Sequence, residues 1–273
     1  MGGMGQARTA IFITAFALFG CSSQIVPAAT PTSKAVLLRF GATGAMQPLV
    51  NDIAQGYLAE RPSISLDTRQ ITYDQTPPQD SEENATYYLS SHLPADGPQW
   101  AAPIGQDAIA VITHPGVGVD SLTTAQLRDI YQGQVANWAQ VGGQNVPVQV
   151  ISREASADTR AEFERFVMGN RQTTRAALVA PSARAMIETV ATTPGAVGYA
   201  SLGYLGTDAE PLALDGVTPT RETVQDSTYP LRSTLFVVGT QEPEGAYRAL
   251  IAWMQSREGQ AVISQRYVPL LPP

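Results

Sequence analysis

The sequence predicts an α/β fold. Strand-like and helix-like hydrophobic patterns alternate from residue 35 to residue 266, and two of the strand-to-helix junctions are built from small or hydroxyl-bearing residues.

The elements follow in order. Residues 35–40 (AVLLRF) form a short apolar run that reads as a buried strand, and 46–60 (MQPLVNDIAQGYLAE) place Leu49, Ile53 and Leu58 near helical spacing before Arg61-Pro62 stops the helix. Residues 63–71 alternate polar and apolar as a half-buried strand does. Residues 72–85 (TYDQTPPQDSEENA) have no apolar period and carry a Pro-Pro pair, which predicts a surface loop. Residues 86–90 and 107–113 (DAIAVIT) are strand-like. Thr123-Thr124-Ala125-Gln126 has the spacing of a capping box, with Leu127, Ile130 and Tyr131 as the apolar face of the helix it starts and Gly133 as its end. A strand is expected over 147–153, a helix over 156–168 closed by Gly169-Asn170, and a helical stretch over 175–191 interrupted near Pro181. Strands over 196–202 and 231–238 and a last helical region over 244–266 complete the pattern.

The N-terminus reads as a targeting segment. Arg8 precedes an uncharged apolar run, residues 10–20 (AIFITAFALFG), too short to span a bilayer. Cys21 follows at once and is the single cysteine, so no intrachain disulfide can form. Leu18-Phe19-Gly20-Cys21 resembles the lipobox of bacterial lipoproteins, which implies a diacylated Cys21 as the new N-terminus and a protein held at the outer face of the cell membrane. Residues 22–33 (SSQIVPAATPTS) would be the tether.

Composition excludes several functions. A net charge of −7, or −8 once Arg8 leaves with the leader, argues against nucleic acid as a partner. The chain has no nucleophile elbow, no zinc-protease helix motif and no phosphate-binding P-loop, so no enzyme activity is expected. Its two histidines, His92 and His114, sit beside turns or prolines and make no metal cluster, and no cofactor is expected.

Two junctions can hold an anion instead. Gly41-Ala42-Thr43-Gly44-Ala45 lets a ligand approach backbone N–H groups and adds the Thr43 hydroxyl. In Ser152-Arg153-Glu154-Ala155-Ser156-Ala157-Asp158-Thr159, a guanidinium at a strand end faces the start of a helix that carries Ser156 and Thr159.

Residues 122–168 (LTTAQLRDIYQGQVANWAQVGGQNVPVQVISREASADTRAEFERFVM), 193–205 (TPGAVGYASLGYL) and 229–270 resemble the phosphate-binding receptors of bacterial ABC importers, a branch of the type II periplasmic-binding fold. Gln47-Pro48-Leu49 and residues 89–94 (LSSHLP) extend the likeness over most of the chain beyond the tether. The resemblance implies two lobes, each a mixed sheet flanked by helices, with the ligand cleft between them. It implies lobe 1 over 34–112 and 216–273, lobe 2 over 113–215, a leader over 1–20 and a tether over 21–33. It further implies a monomer that binds inorganic phosphate or a similar tetrahedral oxyanion and delivers it to ABC permease membrane subunits. The carried-over site is Thr43, Gly44 and Ala45, Ser90 and Ser91, and Arg153, Ser156, Asp158 and Thr159. This chain departs from the family pattern at Ala157, at Asp158, where the family has a glycine amide, and between residues 71 and 86, where a second Gly-Ser-Gly turn is replaced by the Pro-Pro loop. A carboxylate so close to a phosphate would repel it unless it points away to cap its helix. The alternative is a degenerate module of the same fold, a sensor or partner-binding protein with a different ligand.

Overall fold

The strands lie in one continuous path, β2-β1-β3-β10-β4-β8-β6-β7, with β5 and β9 attached beside β4. In chain order the elements are β1 (Val36–Ala42), α1 (Gln47–Leu58), β2 (Ile64–Gln70), β3 (Tyr87–Ser90), β4 (Trp100–Thr113), β5 (Ser121–Leu122), α2 (Thr124–Gln132), β6 (Gln149–Arg153), α3 (Asp158–Phe163), β7 (Leu178–Ala180), α4 (Ala183–Thr192), β8 (Ala196–Ser201), α5 (Leu202–Leu205), β9 (Pro211–Leu214), α6 (Arg221–Gln225), β10 (Arg232–Gly239), α7 (Gly245–Gln255) and α8 (Arg257–Ile263). The computed structural model describes residues 1–3, 35–59, 61–72, 87–93, 97, 100–205, 209 and 211–270. By contact the chain divides into residues 1–34 and 35–273, and the fold belongs to the second unit. Cys21, the tether and residues 73–85 of the expected loop lie outside the described residues.

β4 is the spine. Its first part pairs antiparallel with β10, from Trp100↔Gly239 to Ala108↔Arg232, and its last part pairs antiparallel with β8, from Ile109↔Ser201 to Thr113↔Val197. The change of partner coincides with a change of core. Leu38, Leu49, Ile53, Tyr87, Ile104, Leu235, Leu250 and Met254 pack in one cluster, whereas Ala108, Val111, Leu127, Trp138, Ile151, Phe163, Tyr199 and Leu214 pack in another. A chain that leaves one apolar cluster and enters a second must cross a polar seam, and Asp107 lies there. The return crossing is equally sharp: Val224, Tyr229 and Leu231 belong to the second core, Leu235 and Val237 to the first.

The local signals are realised as chemistry predicts. Thr123 and Gln126 form the reciprocal capping box of α2, and Gly133 closes that helix in the left-handed region at φ 77°. Two expectations are corrected. The stretch over 175–191 is helical only from Ala183, where Ser182 accepts the Ala185 N–H as N-cap. Leu178–Ala180 is instead an edge strand paired in parallel with Ile151–Arg153. Pro181 separates the two because its ring cannot continue a helix behind it. The helix expected over 156–168 begins at Asp158, with Ala157 as N-cap, and its last turn, Glu164–Met168, widens to a π-helix before Gly169. The short elements β5, β9 and α6 carry no periodicity long enough to read.

Trp138 shows how tightly the second core is tied. It is fully buried, and its indole Nε1 donates to the Gly195 carbonyl at 2.9 Å. Gly195 has φ +75°, and a Cβ there would stand 2.1 Å from the Pro147 carbonyl oxygen. Gly195→Ala is therefore predicted to cost about 3 kcal/mol or more, which lowers the melting temperature by roughly 6–12 °C in a chain of this size. Gly216→Ala, at φ +81° but in open space, should cost only about 1 kcal/mol. Calorimetry of both variants checks the difference, and equal losses would contradict the steric account.

Candidate functional site

The first turn grows out of β1. Gly41 lies against Tyr88 and Ile71 so closely that a Cβ would sit 3.1 Å from Tyr88 Cβ, which holds the strand end down on its neighbours. Thr43 is extended, Gly44–Met46 make one 3-10 turn, and α1 starts at Gln47 with Pro48 in its first turn. Tyrosines orient this turn: the Tyr204 hydroxyl donates to the Gly44 carbonyl at 2.8 Å and the Tyr267 hydroxyl to the Ala45 carbonyl at 3.0 Å. With its carbonyls held, the Ala45 N–H is presented to the other core. Thr43 Oγ1 in the same turn is buried and has no hydrogen-bond partner among the described residues.

The second turn grows out of β6. Tyr199, stacked on Phe163 with 4.2 Å between ring centroids, shares a hydrogen bond with Ser152 Oγ at 3.0 Å and accepts from the Arg153 N–H at 3.2 Å. This fixes the strand end from which Arg153 projects. Its guanidinium is buried, with Nε and Nη2 on the two carboxylate oxygens of Glu154 at 2.9 and 2.8 Å, and Nη1 donating to Thr159 Oγ1 at 3.2 Å. Burial alone would push the Glu154 carboxyl up, but the Arg153 hydrogen bonds and charge outweigh it and hold the group below its ordinary value.

The two turns meet. Asp158 Oδ2 accepts the Ala45 N–H at 3.1 Å while Oδ1 accepts the Thr159 N–H at 2.8 Å, and the carboxylate is 2% exposed. Beside this contact is a cavity of about 10 Å³ lined among others by Ala45, Ser91, Asp107, Thr159, Glu162 and Ser233. That is room for about one water molecule. Asp107 accepts from the Ser201 hydroxyl and from the Ala108 N–H at 2.8 Å. Glu162 accepts from the Ser233 hydroxyl and from Arg165 Nη2 at 2.7 Å.

Of the expected site residues, Ala45, Ser91 and Thr159 line the cavity. Asp158 is bonded to Ala45, Arg153 stands one hydrogen bond behind Thr159, and Thr43 lies in the same turn as Ala45. Gly44 contributes its carbonyl to Tyr204. Ser90 is buried with its hydroxyl engaged by His92 Nδ1 at 3.0 Å, and Ser156 is half-buried and outside the cavity lining. Asp158 turns inward across the seam, with Oδ2 on the Ala45 N–H. The sequence reading missed Asp107, Glu162, Ser233, Tyr204 and Tyr267. For Asp107 a signal exists, a single acid opening the otherwise apolar run DAIAVIT; the others come together only in three dimensions.

Two packed cores with a polar cavity at the crossing define a class: a solute-binding fold of the periplasmic-binding type. Residues 29–258 match the family model for a PBP superfamily domain, and the chain belongs to that superfamily. The phosphate-binding protein PstS of Bacillus subtilis is 26% identical over 248 residues, which cover 85% of this chain and 80% of that protein. Among solved structures, a candidate phosphate ABC transporter substrate-binding protein from Clostridium perfringens, with bound phosphate, superposes with a TM-score of 0.77 at 24% identity, covering 86% of this chain and all of that one (100%). An ABC-type phosphate transport receptor from Vibrio cholerae superposes with a TM-score of 0.71 at 22% identity, with coverages of 86% and 100%. The architecture is that of type II periplasmic-binding structures.

Burial at the seam raises the Asp107 carboxyl to about 6 from 3.8, with the hydrogen bonds from Ser201 and Ala108 opposing the shift and the Asp158 charge adding to it. A folded-state value above the unfolded one means that Asp107 contributes its stability below pH 3.8 and loses it as pH rises through 6. Between pH 4 and 7 the wild type should therefore lose about 2 kcal/mol relative to Asp107→Asn, which cannot titrate. Urea unfolding of the two proteins across that range checks this, and identical pH profiles would contradict it.

Proposed function

We propose that this chain is an extracytoplasmic receptor of an ABC importer that captures phosphate or a similar tetrahedral oxyanion at the junction of its two cores. The carrying observation is the meeting of the Gly41–Met46 and Arg153–Thr159 turns, which bring a buried guanidinium, two hydroxyls and amides from two helix starts to one place. The relatives that cover most of the chain are phosphate-binding proteins by name, which supports the same ligand.

In this reading the cores are two lobes that open and close on the anion. The chain crosses at β4 and again at residues 231–232, since Val224, Tyr229 and Leu231 pack with the second lobe. Thr43, Ala45, Ser91 and Thr159 supply neutral donors and Arg153 the charge. Asp107 faces the same cavity and can accept a hydrogen bond only from an oxyanion that carries a proton, which favours phosphate over sulfate near neutral pH. The role in this reading is binding, in keeping with relatives named as phosphate-binding proteins. Acylation of Cys21 would hold the receptor, as a monomer, at the membrane beside its permease, with residues 22–33 as the tether.

Calorimetric titration of the chain lacking its leader with phosphate, sulfate and molybdate tests the reading. Phosphate is expected to bind most tightly, and no heat from any of the three at millimolar concentration would contradict it. Arg153→Met should weaken phosphate binding about tenfold or more, because a charge-assisted hydrogen bond contributes ~1.5–3 kcal/mol. For the anchor, Cys21→Ser should abolish labelling by radioactive palmitate and release the protein from the membrane fraction; retention of both would contradict lipidation.

A further inference from the structure

We infer that Asp158 is a tethered anion that occupies part of the oxyanion cradle, latches the two cores together in the absence of ligand, and must be displaced when an anion enters. The inference rests on the oxyanion reading of the cleft and adds to it the residue that sets the affinity.

The geometry is that of a bound anion rather than of a helix cap. An N-cap carboxylate accepts from amides of its own helix. Asp158 does this with one oxygen only, on the Thr159 N–H, and sends the other to the Ala45 N–H, 113 residues away and in the opposite core. Ala45 lies in the turn that opens α1, and Thr159 in the first turn of α3, so the carboxylate bridges the two helix starts that a captured oxyanion would bridge. The remaining space beside it, about 10 Å³, admits a water but no tetrahedral anion. Entry therefore requires the Asp158 side chain to leave Ala45 or the cores to part.

A second observation sits in the same turn. Thr43 Oγ1 is buried at 1% exposure without a hydrogen-bond partner among the described residues. A cradle with one donor taken by an internal carboxylate and another unused fits a site that completes its bonding only when a larger anion replaces the carboxylate. The tether also makes the competition strong. A side chain already in place acts at a high effective concentration, and if the latched state holds about nine molecules in ten, the apparent affinity for an external anion falls about tenfold.

The test compares wild type, Asp158→Gly and Asp158→Asn by phosphate calorimetry and by small-angle X-ray scattering with and without phosphate. Glycine removes the latch. Asparagine keeps the shape but has one acceptor oxygen for two amides, and it covers the case in which glycine unfolds the turn. Asp158→Gly should bind phosphate about tenfold more tightly or better, Asp158→Asn by a smaller factor, and the radius of gyration without phosphate should rise in both variants and fall on adding phosphate. Unchanged affinity in both variants, with the wild type binding phosphate, overturns the latch and leaves the oxyanion site standing. Weaker binding in both makes Asp158 a ligand contact and likewise overturns it. If none of the three proteins binds phosphate, the oxyanion reading falls and the latch falls with it.

Discussion

The hydrogen bond from the Ala45 N–H to Asp158 Oδ2 is the constraint on which the cleft depends. It joins the turn after β1 to the start of α3 at the seam where β4 and β10 pass between the two apolar clusters. Each partner is positioned by tyrosines. Tyr204 and Tyr267 take the carbonyls of the first turn, and Tyr199 holds the strand end of the second. A misplacement of either turn by an ångström would leave a buried carboxylate or a buried amide unpaired, which costs several times more than an ordinary hydrogen bond contributes.

The charge pattern around that bond is mixed. Arg153 is buried and would be expensive there alone, but Glu154 grips its fork and leaves Nη1 for Thr159. Asp107 and Glu162 line the cavity and Asp158 stands beside it, each carboxylate held by hydroxyls, amides or an arginine. In the proposed reading, amides and hydroxyls therefore supply most of the attraction for an anion, in keeping with a chain whose net charge is −7. In the same reading the carboxylates favour a protonated oxyanion over one without a proton.

Long elements with strong periodicity were legible in the sequence: β1, α1, the capped α2, β8 and β10 stand within a residue or two of their expected bounds. The 175–191 stretch misled because alanine-rich composition favours a helix, whereas parallel pairing with β6 pulls Leu178–Ala180 into the sheet edge. Part of the candidate site was legible as a proposal, because glycine, threonine and arginine at strand-to-helix junctions have a mechanism that local sequence reveals. The inward turn of Asp158 was not, since its partner is 113 residues away and local preference points it to its own helix. Glu162 and Ser233 meet from α3 and β10 across 71 residues, and no local pattern announces such a pair.

The central claim is that the meeting point of the two turns is the oxyanion cradle. A crystal structure of the chain grown with phosphate tests it most directly. The account predicts a phosphate oxygen ~2.7–3.2 Å from the Ala45 nitrogen, a second near Thr159, and the Asp158 carboxylate moved off Ala45. Phosphate bound elsewhere, or bound while the Ala45–Asp158 hydrogen bond stays intact, would contradict it.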